Sequence, residues 1–177
     1  MSGSIKIYEA VKRLARERIA AVKDSEMGGS TPCSDWDVAA LIEHMVKAQT
    51  GLAGTVSGAD VAAEGTPLER LDIVAAALLK AANEPGGLDR QVKRGDGEVP
   101  ASQMFNIAIM DLGIHSWDLA NATSQDMAFS PEVVEFLYPL VEGLTGRGPS
   151  PAFAAPIELP GDASRQDKMI AMSGRTP

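Results

Sequence analysis

The pattern of apolar and polar residues predicts helices along most of the chain. From about Ser4 to Met27, apolar residues recur every three or four positions, which is the period of one helical face. These residues are Ile7, Val11, Leu14, Ala15, Ile19 and Val22, and the other face carries Lys12, Arg13, Arg16, Glu17, Arg18 and Lys23. We therefore expect an amphipathic first helix whose charged face is exposed.

Capping residues predict where the next helices begin. Ser34, with Asp37 three residues later, resembles a capping box and predicts a second helix from Asp35 to about Thr50. A long connection is expected next, because small polar residues accompany Gly51, Gly54, Gly58 and Gly65. Thr66-Pro67-Leu68-Glu69 then has the cap, the first-turn proline and the glutamate of a third helix, which runs to about Asn83.

The second half of the chain contains a helix that is apolar nearly all round, from Ala101 to Ala122. A short hairpin or an ordered loop is expected before it, from Val92 to Val99. After it we expect a helix from Ser130-Pro131 to about Gly143, a Pro/Gly-rich stretch, and a short helix near 164–172. Because the strand signal is weak, the order of elements favours an all-α helical bundle over an alternating α/β fold, with extra short C-terminal helices and in a single domain over residues 1–177.

Composition narrows the classes of function. The 177 residues carry a formal net charge of −8, which disfavours binding to nucleic acid and to anionic membrane surfaces. No run approaches the roughly 20 apolar residues of a membrane span, and the N-terminus is charged, so we expect a cytoplasmic protein. Cys33 is the only cysteine, so a metal would have to rely mainly on His, Asp or Glu.

The apolar helix carries three polar residues on one stripe, namely Asp111, His115 and Asp118. A carboxylate is costly to bury unless its charge is paired, and no lysine or arginine lies between residues 101 and 122. Asp111 and His115 stand four positions apart, so both can reach one ion. His44 in the second helix is the only other histidine, and it would complete a site of two histidines and one carboxylate with open coordination positions.

Other interpretations of these residues remain open at this stage. A helical histidine is usually a hydrogen-bonded core or surface residue, and Asp111 could pair with a basic side chain of another helix. Asp118 could orient a metal ligand, or it could have no metal role. Cys33 is expected to be a small buried hydrophobe, with a reactive thiol before a helix N-terminus as the alternative.

Three motifs together resemble the mycothiol-dependent maleylpyruvate isomerase-like, metal-binding family of DinB-like four-helix bundles. They are Thr31-Pro32-Cys33-Ser34-Asp35-Trp36-Asp37-Val38, Leu41-Ile42-x-His44, and Asp111-x-x-x-His115-x-Trp117-Asp118-Leu119-Ala120. The ending, Ser164 to Met169 and Gly174-Arg175-Thr176-Pro177, is also similar to the closing segment of that family.

The resemblance implies a DinB-like bundle that holds a divalent metal, with zinc first and nickel or iron as alternatives, on His44, Asp111 and His115. It also implies mycothiol or a related thiol as cofactor. Two features depart from the isomerase itself: Asp111 stands where that enzyme has a glutamate, and 177 residues leave no room for its additional C-terminal domain. What the resemblance carries over is therefore the metal-bearing bundle, with the substrate unnamed.

Three functions follow as hypotheses. The first is a transferase or isomerase in which the metal activates a small-molecule thiol toward an electrophilic substrate. The second is a non-catalytic module that binds a metal or small ligand, and the third is a hydrolase with Asp118 as general base. The methionine- and alanine-rich helices could also present an apolar face for a homodimer.

Overall fold

A computed structural model describes residues 3–145 and 154–177 of the chain, and the described residues are mostly helical. They fall into two compact units, Met1–Gln125 and Asp126–Pro177. The first unit contains α1 (Gly3–Ala21), α2 (Val38–Ser57), α3 (Pro67–Asn83) and α4 (Ala101–Ala122). The second contains α5 (Pro131–Thr145) and α6 (Arg165–Met172). The single-domain organisation stays a prediction.

The four helices of the first unit form the all-α, DinB-like bundle. Helix α2 packs against α3 and α4, and α1 packs against the same two helices from the other side. Helix α4 is buried along most of its length, as its composition predicts, including Phe105, Leu112 and Trp117. Such burial of apolar area is the main force that holds helices together.

One polar network crosses the core of this bundle. Tyr8 on α1 donates a hydrogen bond of 3.0 Å to Gln49 Oε1 on α2, and Gln49 Nε2 donates one of 3.0 Å to the carbonyl of Ala108 on α4. All three residues are buried, and burial raises the pKa of the Tyr8 hydroxyl above its ordinary value. The network ties three helices together without leaving the amide of Gln49 unpaired.

The structure corrects four expectations about the first two helices. Helix α1 ends at Ala21 rather than near Met27, and a short 3-10 helix, Asp24–Glu26, follows it. Helix α2 begins at Val38, because Asp37 rather than Ser34 is the cap: its side chain accepts from the Ala40 amide at 2.8 Å. The helix also continues past Thr50 to Ser57, since Ala53 and Val56 are buried and offset the poor helix propensity of the glycines. Arg18 is buried rather than exposed, and its Nη1 donates to Ser116 Oγ at 3.3 Å.

The remaining elements confirm the expected order. Thr66 and Glu69 form the capping box of α3, and hydrogen bonds from Thr66 hold the pKa of Glu69 below its usual value. The hairpin pairs β1 (Gln91–Arg94) with β2 (Gly97–Pro100) around Gly95, which has a φ of 60°.

In the second unit, α5 and α6 pack together, and Ser164 caps α6 by accepting from Asp167 N at 3.0 Å. The Pro/Gly-rich stretch lies partly outside the described residues. No helix in the described ranges is long and apolar enough to cross a membrane.

Candidate metal centre

The candidate site lies between α2 and α4 and begins with His44. This histidine is on α2, and its side chain keeps 30% of its surface exposed. Ala40 and Ala48 stand one turn before and one turn after it, and both are half-buried. Because side chains four residues apart share a helical face, His44 is flanked by side chains of little bulk.

Asp111 and His115 lie on one face of α4, as their spacing predicts, and both approach His44 on α2. Asp111 Oδ1 lies 3.7 Å from Nε2 of His44 and 3.7 Å from Nε2 of His115. These separations are too long for hydrogen bonds. The three donor atoms nevertheless lie within 4.8 Å of one another, so they surround one point without bonding to each other.

The carboxylate of Asp111 provides the test of whether a cation fits. Its Oδ2 atom is buried and has no hydrogen-bond partner among the described residues, and no lysine or arginine in these ranges forms an ion pair with it. A buried carboxylate oxygen left in this way is costly. Zinc bonds of about 2.0–2.2 Å at tetrahedral angles place ligand atoms about 3.3–3.6 Å apart, close to the observed 3.7 Å. The residues present therefore fit a divalent metal ion.

Asp118 contacts the opposite edge of the His115 ring. The carboxylate is fully buried, and His115 Nδ1 lies 3.0 Å from Asp118 Oδ2. A carboxylate only accepts hydrogen bonds, so the proton of this bond belongs on Nδ1 and the lone pair on Nε2 faces Asp111 and His44. This geometry suits the orienting role predicted for Asp118. It does not suit a general base, because the carboxylate is screened by the ring from the side where a ligand would bind.

The connection between α1 and α2 covers the site with Trp36, a residue that sequence reasoning did not assign to it. The Trp36 ring stacks on His44 with centroids 4.0 Å apart and approaches His115 edge-on at 5.6 Å. The backbone here is held by Thr31, whose hydroxyl lies 2.8 Å from the Trp36 carbonyl. The feature of the sequence that could have pointed to Trp36 is its position as an aromatic residue just before the helix that carries His44.

Cys33 belongs to the same connection and contacts the site from the Asp118 side. Its Sγ lies 3.3 Å from Asp118 Oδ2 and 3.9 Å from His115 Nδ1, and the residue is half-buried. The expectation of an apolar buried cysteine therefore misses its polar contacts. The alternative argument from a helix N-terminus also fails, because α2 begins five residues later, at Val38.

Comparison with known proteins identifies the family. Residues 8–120 match the family model described as the mycothiol maleylpyruvate isomerase N-terminal domain. The chain belongs to this family. The match covers the four-helix unit through the end of the Asp111–Ala120 motif, so it includes every residue of the candidate site.

Relatives extend the similarity to most of the chain. The chain is 33% identical over 168 residues to the uncharacterized protein Rv0738 of Mycobacterium tuberculosis H37Rv, a match that covers 89% of this chain and 90% of the relative. The same figures hold for the uncharacterized protein MT0763 of strain CDC 1551 / Oshkosh. No solved structure matches the chain significantly.

Proposed function

We propose that this protein binds a divalent metal ion, with zinc as the first candidate, through His44, Asp111 and His115, and that it uses the ion in transfer or isomerisation chemistry with a mycothiol-like thiol. The observation that carries the proposal is the convergence of two Nε2 atoms on Asp111, whose second oxygen is buried without a partner among the described residues. Membership of the family supports the link to mycothiol chemistry.

The number of ligands favours an open site over a closed structural one. Structural zinc usually has four protein ligands, whereas catalytic zinc has three and leaves a position for water or substrate. An ion bound here would act as a Lewis acid that favours the thiolate of a bound thiol near neutral pH.

The chain's own residues would hold and shape this centre. Asp118 would keep the His115 ring in the orientation that presents Nε2, and Trp36 would restrict the His44 ring by stacking on it. Ala40 and Ala48 would leave room beside His44 for a thiol and an electrophilic substrate. Together these contacts support the proposal of a preformed site with restrained ligands and small flanking groups.

The competing function is a non-catalytic metal- or ligand-binding module built on the same three residues. It differs in its prediction for turnover and not in its prediction for metal content. A cytoplasmic location and a homodimer also stay predictions.

Two experiments test the proposal one after the other: metal content first, and thiol-dependent turnover second. After loading with zinc and removal of excess ion, elemental analysis should find one zinc per chain, and His44→Ala or His115→Ala should lose it. Glu43→Gln is the matched control, because Glu43 is exposed beside His44 and pairs with Arg70. This control should retain the zinc of the wild type.

Turnover is then measured in two zinc-dependent assays: consumption of mycothiol in its conjugation to 1-chloro-2,4-dinitrobenzene, which releases chloride, and mycothiol-dependent conversion of maleylpyruvate to its isomer, in which the thiol is regenerated. Loss of zinc-dependent rate in His115→Ala supports the enzyme. Zinc binding without turnover favours the non-catalytic module, and a wild-type protein that binds no zinc, nickel or iron refutes the metal centre.

A further inference from the structure

Cys33 occupies a defined position relative to the two edges of the His115 ring. Its Sγ is 3.9 Å from Nδ1, while Asp111 approaches the same ring at Nε2, on the other edge. The two nitrogens of an imidazole face different directions, so a thiol beside Nδ1 does not join the ion expected at Nε2. Cys33 therefore needs a role other than ligation of that ion.

The contact with Asp118 indicates this role. A carboxylate accepts hydrogen bonds and a thiol is a weak donor, so the 3.3 Å contact is a hydrogen bond from the Cys33 thiol to Asp118 Oδ2. The same oxygen accepts from His115 Nδ1 at 3.0 Å. One oxygen of a fully buried carboxylate thus joins the thiol to the ring that presents Nε2.

The backbone around Cys33 is restrained, so its thiol is held beside Asp118. The amide of Cys33 donates to Thr31 Oγ1 at 3.1 Å, and the Trp36 amide donates to the Cys33 carbonyl at 2.9 Å. The restrained turn also carries Trp36, which stacks on His44. A displacement at Cys33 would reach both histidines, one through Asp118 and the other through the turn.

We propose that Cys33 is a positioning residue of the metal centre: its thiol holds the Asp118 carboxylate in the orientation that presents His115 Nε2 to the ion. This inference rests on the proposed metal site and adds a residue that the three-ligand set does not contain. Groups that orient a ligand from behind typically change metal affinity by about 10- to 100-fold when they are removed. Cys33 acts one contact further away, so we expect a loss of about 3- to 10-fold for Cys33→Ala, at or below the lower end of that range.

The test compares Cys33→Ala with Cys33→Ser and with Ser34→Ala, a control that changes an exposed neighbour in the same turn. Zinc affinity is measured by competition with a chromophoric chelator, and the visible absorption of the cobalt-loaded protein reports the ligand geometry. Cys33→Ala should weaken zinc binding and alter the cobalt spectrum. Cys33→Ser, which keeps a donor, should recover affinity to within about twofold of the wild type, and Ser34→Ala should match the wild type.

Three results would overturn the inference, and each is distinct from failure of the metal site. Unchanged affinity and an unchanged cobalt spectrum in Cys33→Ala would remove the positioning role, provided that His115→Ala still loses zinc. Equal losses in Cys33→Ala and Cys33→Ser would show that the hydrogen bond is not the cause. Two zinc ions in the wild type and one in Cys33→Ala would make Cys33, His115 and Asp118 a second metal site, since their donor atoms also lie within 4.8 Å of one another.

Discussion

Replacing Asp111 by alanine should change the stability of the four-helix unit in opposite directions with and without metal. Without an ion, the side chain has a buried oxygen that lacks a partner among the described residues, so its removal relieves a cost. With an ion bound as proposed, the same side chain would be a ligand. Few other roles for an aspartate predict such a reversal of sign.

The structure allows rough magnitudes for both states. An unsatisfied buried polar group costs about 1–3 kcal/mol, and the Asp111 side chain is 20% exposed, so little cavity should form. Asp111→Ala in chelator should therefore be between neutral and about 2 kcal/mol more stable than the wild type. Zinc at about 100 times its Kd stabilises the wild type by about 2.7 kcal/mol, and the variant should lose most of this gain.

Tryptophan fluorescence is the appropriate assay, because Trp36 and Trp117 are the only tryptophans and both lie in the four-helix unit. For about 125 residues, 1 kcal/mol corresponds to roughly 3–5 °C in Tm, so zinc should raise the wild-type Tm by about 8–13 °C. The control is Asp72→Ala, which removes a half-exposed aspartate paired with Arg16 and Lys12. Its effect should be at most about 1 kcal/mol and equal with zinc and with chelator.

Two outcomes would refute this reasoning. If the wild type melts at the same temperature in zinc and in chelator, no ion is bound at the site. If Asp111→Ala destabilises the chelator-treated protein as strongly as the zinc-loaded one, Asp111 supports the fold directly and its unpartnered oxygen carries no cost.

Two further predictions concern the core network and the ring that covers the site. Gln49→Leu should lower the free energy of unfolding by about 2–4 kcal/mol, measured by urea unfolding, because the Tyr8 hydroxyl and the Ala108 carbonyl each lose a hydrogen bond. Tyr8→Phe should lower the free energy of unfolding by less, and equal losses in the two variants would contradict this account. Zinc should change the tryptophan fluorescence of the wild type but not that of Trp36→Phe, since Trp36 stacks on His44 while Trp117 is buried. If zinc changes the fluorescence of Trp36→Phe as much as that of the wild type, Trp36 is not the residue that reports zinc binding.

Elements governed by local chemistry were predictable from the sequence. Helix α4 has the expected bounds of Ala101–Ala122, and Thr66 and Ser164 cap the helices that were expected to follow them. Helical spacing predicted that Asp111 and His115 share a face, whereas the addition of His44 rested on its being the only other histidine and on the family resemblance. Short-range rules determine the bounds of α4, the two caps and the Asp111–His115 pair, but not the position of His44 on another helix.

Features that depend on tertiary packing were not predictable in the same way. Arg18 lies three residues after Ala15 on the inward side of α1, and its contact with Ser116 on α4 is a tertiary feature that the periodicity of α1 does not reveal. The contacts of Cys33 and Trp36 depend on a turn held by Thr31, whose path no periodicity describes. Residues of this turn contact the site on both helices: Trp36 contacts His44 on α2, and Cys33 contacts Asp118 on α4.

The exposure of the site residues indicates the direction from which a ligand would approach. At about 100° per residue, Asp111, His115 and Asp118 lie within about 60° of one another around α4, so helical angle alone does not separate their exposures. Their side chains are nevertheless 20%, 12% and 0% exposed in that order. Cys33 contacts Asp118 at the buried end, whereas Asp111 and the 30% exposed His44 lie at the accessible end. If the proposed ion is bound, a thiol would therefore approach it from the side of His44 and Asp111, away from the buried contact between Asp118 and His115.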